Sequence, residues 1–163
     1  MLRRDQLLLL YDGKCGFCSS VARTLRRLDW RDRIHALPYQ IEGLPEAVGS
    51  SLPEAHKTAM VLSPSGRLWK AGGSAAACFD ALLPYGFPLF RTLYCLPGMH
   101  RLGDWLYFWV SRHRRQLTRR PADLRHRTPP VLDEDTRREI LRRRMARRMP
   151  SALPAPPHPS RLH

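Results

Sequence analysis

The sequence predicts an α/β fold: a central mixed sheet of about four strands flanked by helices, with extra C-terminal helices and a basic Pro/Arg-rich tail. Three observations carry this expectation. A continuous apolar run, Leu7-Leu8-Leu9-Leu10, leads into the helical pattern that begins at Phe17. A second strand-like run, Arg33-Ile34-His35-Ala36-Leu37, follows at the distance of a right-handed parallel crossover. Two further short apolar segments flank the turn Ser63-Pro64-Ser65-Gly66.

Each element has its own reason. Residues 7–11 are apolar without alternation, as suits a strand covered by helices on both faces. Phe17, Val21, Leu25 and Leu28 then recur at helical spacing, with Arg23, Arg26 and Arg27 on the outer side. Pro38 terminates the second strand. Gly43, Pro45, Gly49 and Pro53 break up residues 40–57, which read as a loop with one short helix near 45–48. Residues 58–62 and 67–70 form an antiparallel hairpin. Ser74 is expected to cap a helix over 75–83, in which Ala75, Cys78, Phe79 and Leu82 share one face and Cys78 is a buried core residue. Prolines bound a short helix over 89–94. Leu102, Trp105, Leu106, Trp109 and Val110 mark a final helix, packed on the sheet or on the rim of the site. The alternative for that stripe is an amphipathic face for a membrane surface or a partner. Cys95 is expected near this surface. His35 and His56 have no ligand partner at useful spacing and read as non-catalytic.

The chain has 163 residues and 43% hydrophobic content, enough for one domain and a tail. The boundary falls at 118/119, where the composition changes. Residues 112 to 163 hold 15 arginines against 5 acidic residues, and eight of the fifteen prolines lie between Pro121 and Pro159. Such a tail cannot hold a packed core and reads as mostly disordered. The exception is residues 133–149, where acidic residues at the start and arginines at the end suit a solvated helix. This basic arm can contact nucleic acid, an anionic membrane surface or an acidic protein, and equally can merely solvate. No folded nucleic-acid motif is visible. Four cysteines are too few for a disulfide-stapled scaffold. The N-terminal apolar run is too short for a signal-peptide core, and no apolar stretch approaches the ~20 residues of a membrane span. A reducing, cytoplasmic setting is the default expectation.

Chemistry is concentrated in Tyr11-Asp12-Gly13-Lys14-Cys15-Gly16-Phe17-Cys18. Two thiols stand where a strand hands over to a helix, and a helix N-terminus favours negative charge through its unpaired N–H groups and dipole. Cys15 is therefore the candidate nucleophile. The two-residue spacing puts Cys18 one helical turn away, within reach of a disulfide, as the resolving thiol. Asp12, if buried at the strand end, is the candidate acceptor of the Cys18 proton; Asp12-Gly13 is also a common turn dipeptide, so a structural turn or cap role stands beside it.

Asp12-x-x-Cys15-x-x-Cys18 after a hydrophobic strand and Tyr11 resembles the signature of the DCC family of thiol-disulfide oxidoreductases. Further matches are Leu37-Pro38-Tyr39-Gln40, Gly72-Gly73-Ser74-Ala75-Ala76 and the aromatic-basic stretch from Trp105 to Arg115. The resemblance spans about residues 5 to 117 and implies a thioredoxin-like fold and thiol-disulfide exchange without a bound cofactor. Thioredoxin-like proteins generally hold substrate backbone at a cis-proline just before the third strand. Lys57-Thr58-Ala59 contains no proline, which puts substrate strand pairing there in doubt.

The leading expectation is a protein-disulfide reductase acting on disulfide-containing proteins or small-molecule thiols, recharged by an electron donor the sequence does not identify. Two other classes stand beside it. One is a zinc-binding module in which Cys78, Cys95 or His100 completes a site with Cys15 and Cys18. The other is an adaptor that binds polyanions through its basic tail.

Overall fold

The computed structural model describes residues 2–83, 87–117 and 131–148. In chain order the elements are β1 (Leu7–Tyr11), α1 (Gly16–Leu28), β2 (Ile34–Pro38), α2 (Leu44–Val48), α3 (Leu52–Lys57), β3 (Met60–Leu62), β4 (Leu68–Lys70), α4 (Gly72–Leu82), α5 (Leu89–Tyr94), α6 (Met99–Leu117) and α7 (Glu134–Arg148). The sheet runs β2-β1-β3-β4, with β1 and β2 parallel and the other two pairs antiparallel. This is the thioredoxin-like mixed sheet flanked by helices.

The leucine run has two buried faces, which is why it does not alternate in polarity. Leu8 and Leu10 join Met60, Leu62, Leu44 and Ala55 beneath α2 and α3. Leu7 and Leu9 join Ile34, Val61, Trp69 and Ala22 beneath α1 and α4. Pairing of Tyr11 with Pro38 brings the ends of β1 and β2 level, so the loop after β1 lies beside the residues after β2.

Three elements differ from the sequence expectation. Residues 40–57 hold two helices, because Pro45 and Pro53 sit in the first helical positions, where a missing N–H costs nothing. Helix α4 begins at Gly72, before Ser74, whose hydroxyl donates to the Ala71 carbonyl at 2.6 Å. A Cβ on Gly72 would lie 2.8 Å from the Gly103 carbonyl carbon, so glycine permits the close approach of α4 and α6.

The third difference is the C-terminal helix. Helix α7 is not solvated on all sides: Thr136, Ile140 and Arg143 are fully buried, and Ile140 and Leu132 belong to the core beneath the sheet. The Arg143 guanidinium donates to the carbonyls of Gln6 (2.8 Å) and Arg3 (2.6 Å) and to Glu139 Oε1 (2.9 Å). Thr136 Oγ1 accepts the Leu2 amide at 3.2 Å. On its other flank the helix meets the hairpin turn, where Gly66 has φ +75° and a Cβ would stand 2.1 Å from the Arg143 carbonyl oxygen. The basic and proline-rich stretches at 118–130 and 149–163 lie outside the described residues.

Candidate active site

Strand β1 delivers the chain at Tyr11, whose carbonyl still accepts the Tyr39 amide at 3.0 Å. A tight loop follows. Asp12 Oδ1 accepts the Lys14 amide at 3.0 Å, and the Asp12 carbonyl accepts the Cys15 amide at 3.2 Å. Gln40, two residues past β2, holds the loop with both ends of its amide: Nε2 donates to Asp12 Oδ1 (2.7 Å) and Oε1 accepts the Gly13 amide (3.1 Å). The buried Ser19 donates its hydroxyl to the Gly13 carbonyl at 3.4 Å.

Cys15 is the N-cap of α1. Its backbone is extended (φ −95°, ψ 116°), and its Sγ accepts the backbone N–H of Cys18 at 3.4 Å. The sulfur thus takes the place that a serine or aspartate oxygen takes at an ordinary helix start. A donor and the positive end of the helix dipole both bear on it. Helix α1 has no acidic residue in its first turn to oppose this field. Cys15 and Cys18 are both half-buried, so the first thiol is not sealed from solvent and its side chain turns toward the turn that carries the second.

An apolar cavity of about 160 Å³ adjoins Cys18. Its walls come from α1 (Phe17, Val21), α4 (Cys78, Phe79) and α6 (Tyr107, Val110), and it does not reach Cys15. Tyr11 also lines it, and burial pushes the Tyr11 phenol up from its ordinary value. The Tyr107 hydroxyl accepts the backbone N–H of Ala59 at 2.6 Å, just ahead of β3.

The structure brings Asp12, Cys15 and Cys18 onto one loop and helix start, and it separates the other thiols by role. Cys78 is buried, and burial pushes its thiol up to about 12, which keeps it in the protonated, unreactive form. Cys95 is exposed beyond the end of α5. Among the described residues no group of three or more His, Cys, Asp or Glu side chains is arranged to hold a metal ion. Among those residues Cys78, Cys95 and His100 are not gathered with Cys15 and Cys18. Asp12 is half-buried at the strand end, and its Oδ1 accepts from the Lys14 amide and from Gln40 in the loop.

A family model described as DCC1-like thiol-disulfide oxidoreductase matches residues 9–120, more than half of the chain. The chain belongs to this family. No match was found among curated proteins or among solved structures. For a DCC1-like chain the general activity is thiol-disulfide oxidoreduction, and the CxxC pair Cys15–Cys18 is in place for it.

Two residues that shape the surroundings of the thiols in this DCC1-like domain, Gln40 and Tyr107, are not singled out by the sequence patterns. Gln40 stands in the sequence only as the last residue of Leu37-Pro38-Tyr39-Gln40. Its signal lay in the pairing of two parallel strands, which sets the first residues past β2 beside the loop past β1. Tyr107 was hidden among the aromatics of α6. The signal was its spacing with Gly103, Asp104 and Ser111, a small and polar set on the side of the helix away from the Leu/Trp stripe.

Proposed function

We propose that the protein is a protein-disulfide reductase in which Cys15 attacks and Cys18 resolves. The Cys15 thiolate displaces one sulfur of a substrate disulfide, forming a mixed disulfide and releasing a substrate thiolate. Cys18 then attacks the Cys15 sulfur, closes the internal disulfide and releases the second substrate thiolate, so two electrons pass from the dithiol to the substrate. Asp12 takes the proton that leaves Cys18. A dithiol donor must then reduce the Cys15–Cys18 bridge to complete the cycle, and a reducing, cytoplasmic compartment supplies such donors. The observation that carries this reading is the Cys15 sulfur at the N-terminus of α1, receiving the amide of Cys18.

The mode of substrate holding follows from Tyr107. Its hydroxyl already takes the Ala59 N–H, the position where thioredoxin-like proteins offer backbone to a substrate. We therefore assign substrate holding to the apolar cavity beside Cys18, which suits an alkyl or aromatic group next to the scissile disulfide. The test is reduction of insulin disulfides by the wild type and by single cysteine variants. Cys15→Ser is expected to abolish turnover, and Cys18→Ser to accumulate a mixed disulfide on Cys15 that mass spectrometry detects. Undiminished turnover by Cys15→Ser refutes the assignment.

A further inference from the structure

Helix α6 wears its amphipathicity inside out. Its inner side, toward α4 and the cavity, carries Gly103, Asp104, Tyr107, Val110 and Ser111, while Met99, Leu102, Trp105, Leu106 and Trp109 are 42% to 63% exposed. At 100° per residue these five fall within an arc of about 120°, the width of a stripe that normally faces a core. Arg101 and Arg112 are exposed at its flank. Helix α5 extends the surface, so that eleven large apolar side chains between residues 87 and 109 are exposed. A soluble surface seldom carries so many in one place without a use.

Charge on the face is one-sided. Residues 87–117 hold five arginines and a single acidic residue, Asp104. That carboxylate is turned inward, where Oδ1 accepts the Gly72 amide (3.1 Å) and the Tyr94 hydroxyl (2.7 Å). Arg91 of α5 is paired with Asp80 of α4 at 2.7 Å, which leaves Arg101 and Arg112 exposed with no carboxylate on the outer side of these two helices to balance them. A second copy of the chain fits poorly, because two-fold pairing of this face sets arginine beside arginine with no acid between them.

We propose that the face formed by α5 and α6 docks on an anionic phospholipid bilayer. Leu102, Leu106 and Met99 enter the acyl boundary, Trp105 and Trp109 settle at the level of the headgroups, and Arg101 and Arg112 reach lipid phosphates from the flank. Among the described residues no helix is long and apolar enough to cross a membrane, so the attachment lies along the surface. Phe79, half-exposed at the cavity wall, meets Phe90 of α5 with ring centroids 5.4 Å apart, which sets the edge of the Cys18 cavity against the docked face.

The experiment is flotation of the purified full chain with vesicles of phosphatidylcholine, alone or with about a third phosphatidylglycerol. Binding to the mixed vesicles is expected, with partitioning at least about ten-fold weaker on the neutral ones and about ten-fold weaker for the pair Trp105→Ser and Trp109→Ser. The replaced side chains are exposed, so the fold persists, and circular dichroism verifies it; Leu102→Gln with Leu106→Gln is a second, independent pair. Brominated acyl chains are expected to quench wild-type tryptophan fluorescence. Three results overturn the proposal: no binding to either vesicle, undiminished binding by both variant pairs, which assigns the attraction to the basic tail, or a stable dimer that these substitutions dissociate. Cys15→Ser is expected to bind as the wild type does, so the outcome is separate from that of the redox assay.

Discussion

Replacement of Arg143 by alanine tests whether the C-terminal helix is part of the folded unit, although it lies beyond the residues that define the family. The side chain is fully buried and makes three hydrogen bonds, two of them to backbone carbonyls more than 130 residues away. Glu139 is not orphaned by the change, since Arg142 still donates to both of its carboxylate oxygens. What is lost is a charged donor for two carbonyls and the packing of the aliphatic stem. Breaking one side of a buried charged arrangement costs about 3–5 kcal/mol. For a chain of this size that lowers the melting temperature by roughly 10 °C. Equilibrium urea unfolding followed by far-UV circular dichroism reads the loss as a lower midpoint with an unchanged slope. Arg143→Lys keeps the charge but not the planar fork and is expected to fall between the two. A loss below about 1 kcal/mol for the alanine variant would show that α7 is not docked on the sheet in solution.

Asp12→Asn keeps an oxygen for the Lys14 and Gln40 donors and removes only the carboxylate; if Asp12 takes the Cys18 proton, the mixed disulfide on Cys15 persists at least about ten-fold longer in stopped-flow trapping, with little change in stability. Gln40→Ala removes two bonds from the same loop and is expected to cost about 2 kcal/mol in urea unfolding, with faster amide exchange at Gly13. Glu139 is held down from its ordinary 4.5 to about 2, chiefly by the hydrogen bonds from Arg142 against the opposing cost of burial, with Arg143 assisting. Because the folded value lies below the unfolded one, this carboxylate contributes fully above about pH 4.5, and the contribution is lost as pH falls toward 2. Allowing for the half-exposed Arg142, it is worth about 2 kcal/mol, so Glu139→Gln should flatten the decline in unfolding free energy between pH 5 and pH 2, read from urea titrations, by about that amount. Equal acid slopes in wild type and variant would discount the pair.

The parts legible in the sequence were those governed by neighbours along the chain. An unbroken leucine run before Tyr-Asp-x-x-Cys-x-x-Cys announces a doubly covered strand and a thiol at a helix start, and both are local patterns. Pro53 hid α3, because a proline reads as a breaker until its place within the first turn is known, whereas the short helix at Pro45 was legible. Helix α7 was visible as a helix, but its inner face is Thr136, Ile140 and Arg143, two polar residues and one apolar, so its burial has no hydrophobic signature. Only the carbonyls of Arg3 and Gln6, far off in sequence, make that face a buried one. The stripe on α6 has the expected periodicity, and the helix does pack on the rim of the Cys18 cavity, through Tyr107, Val110 and Ser111; its Leu/Trp side is the exposed one, as the amphipathic-face alternative requires, because amphipathicity alone carries no sign for inside and outside.

The hairpin turn at Gly66 places an unexpected restriction on the molecule. A four-residue reversal between short antiparallel strands is ordinarily where a chain accepts an inserted epitope or a grafted loop. Here the last helix rests on that reversal, and even one methyl group at Gly66 collides with it. Lengthening the reversal would therefore lift α7 from the sheet, and with it the anchor that fastens the opening residues before β1.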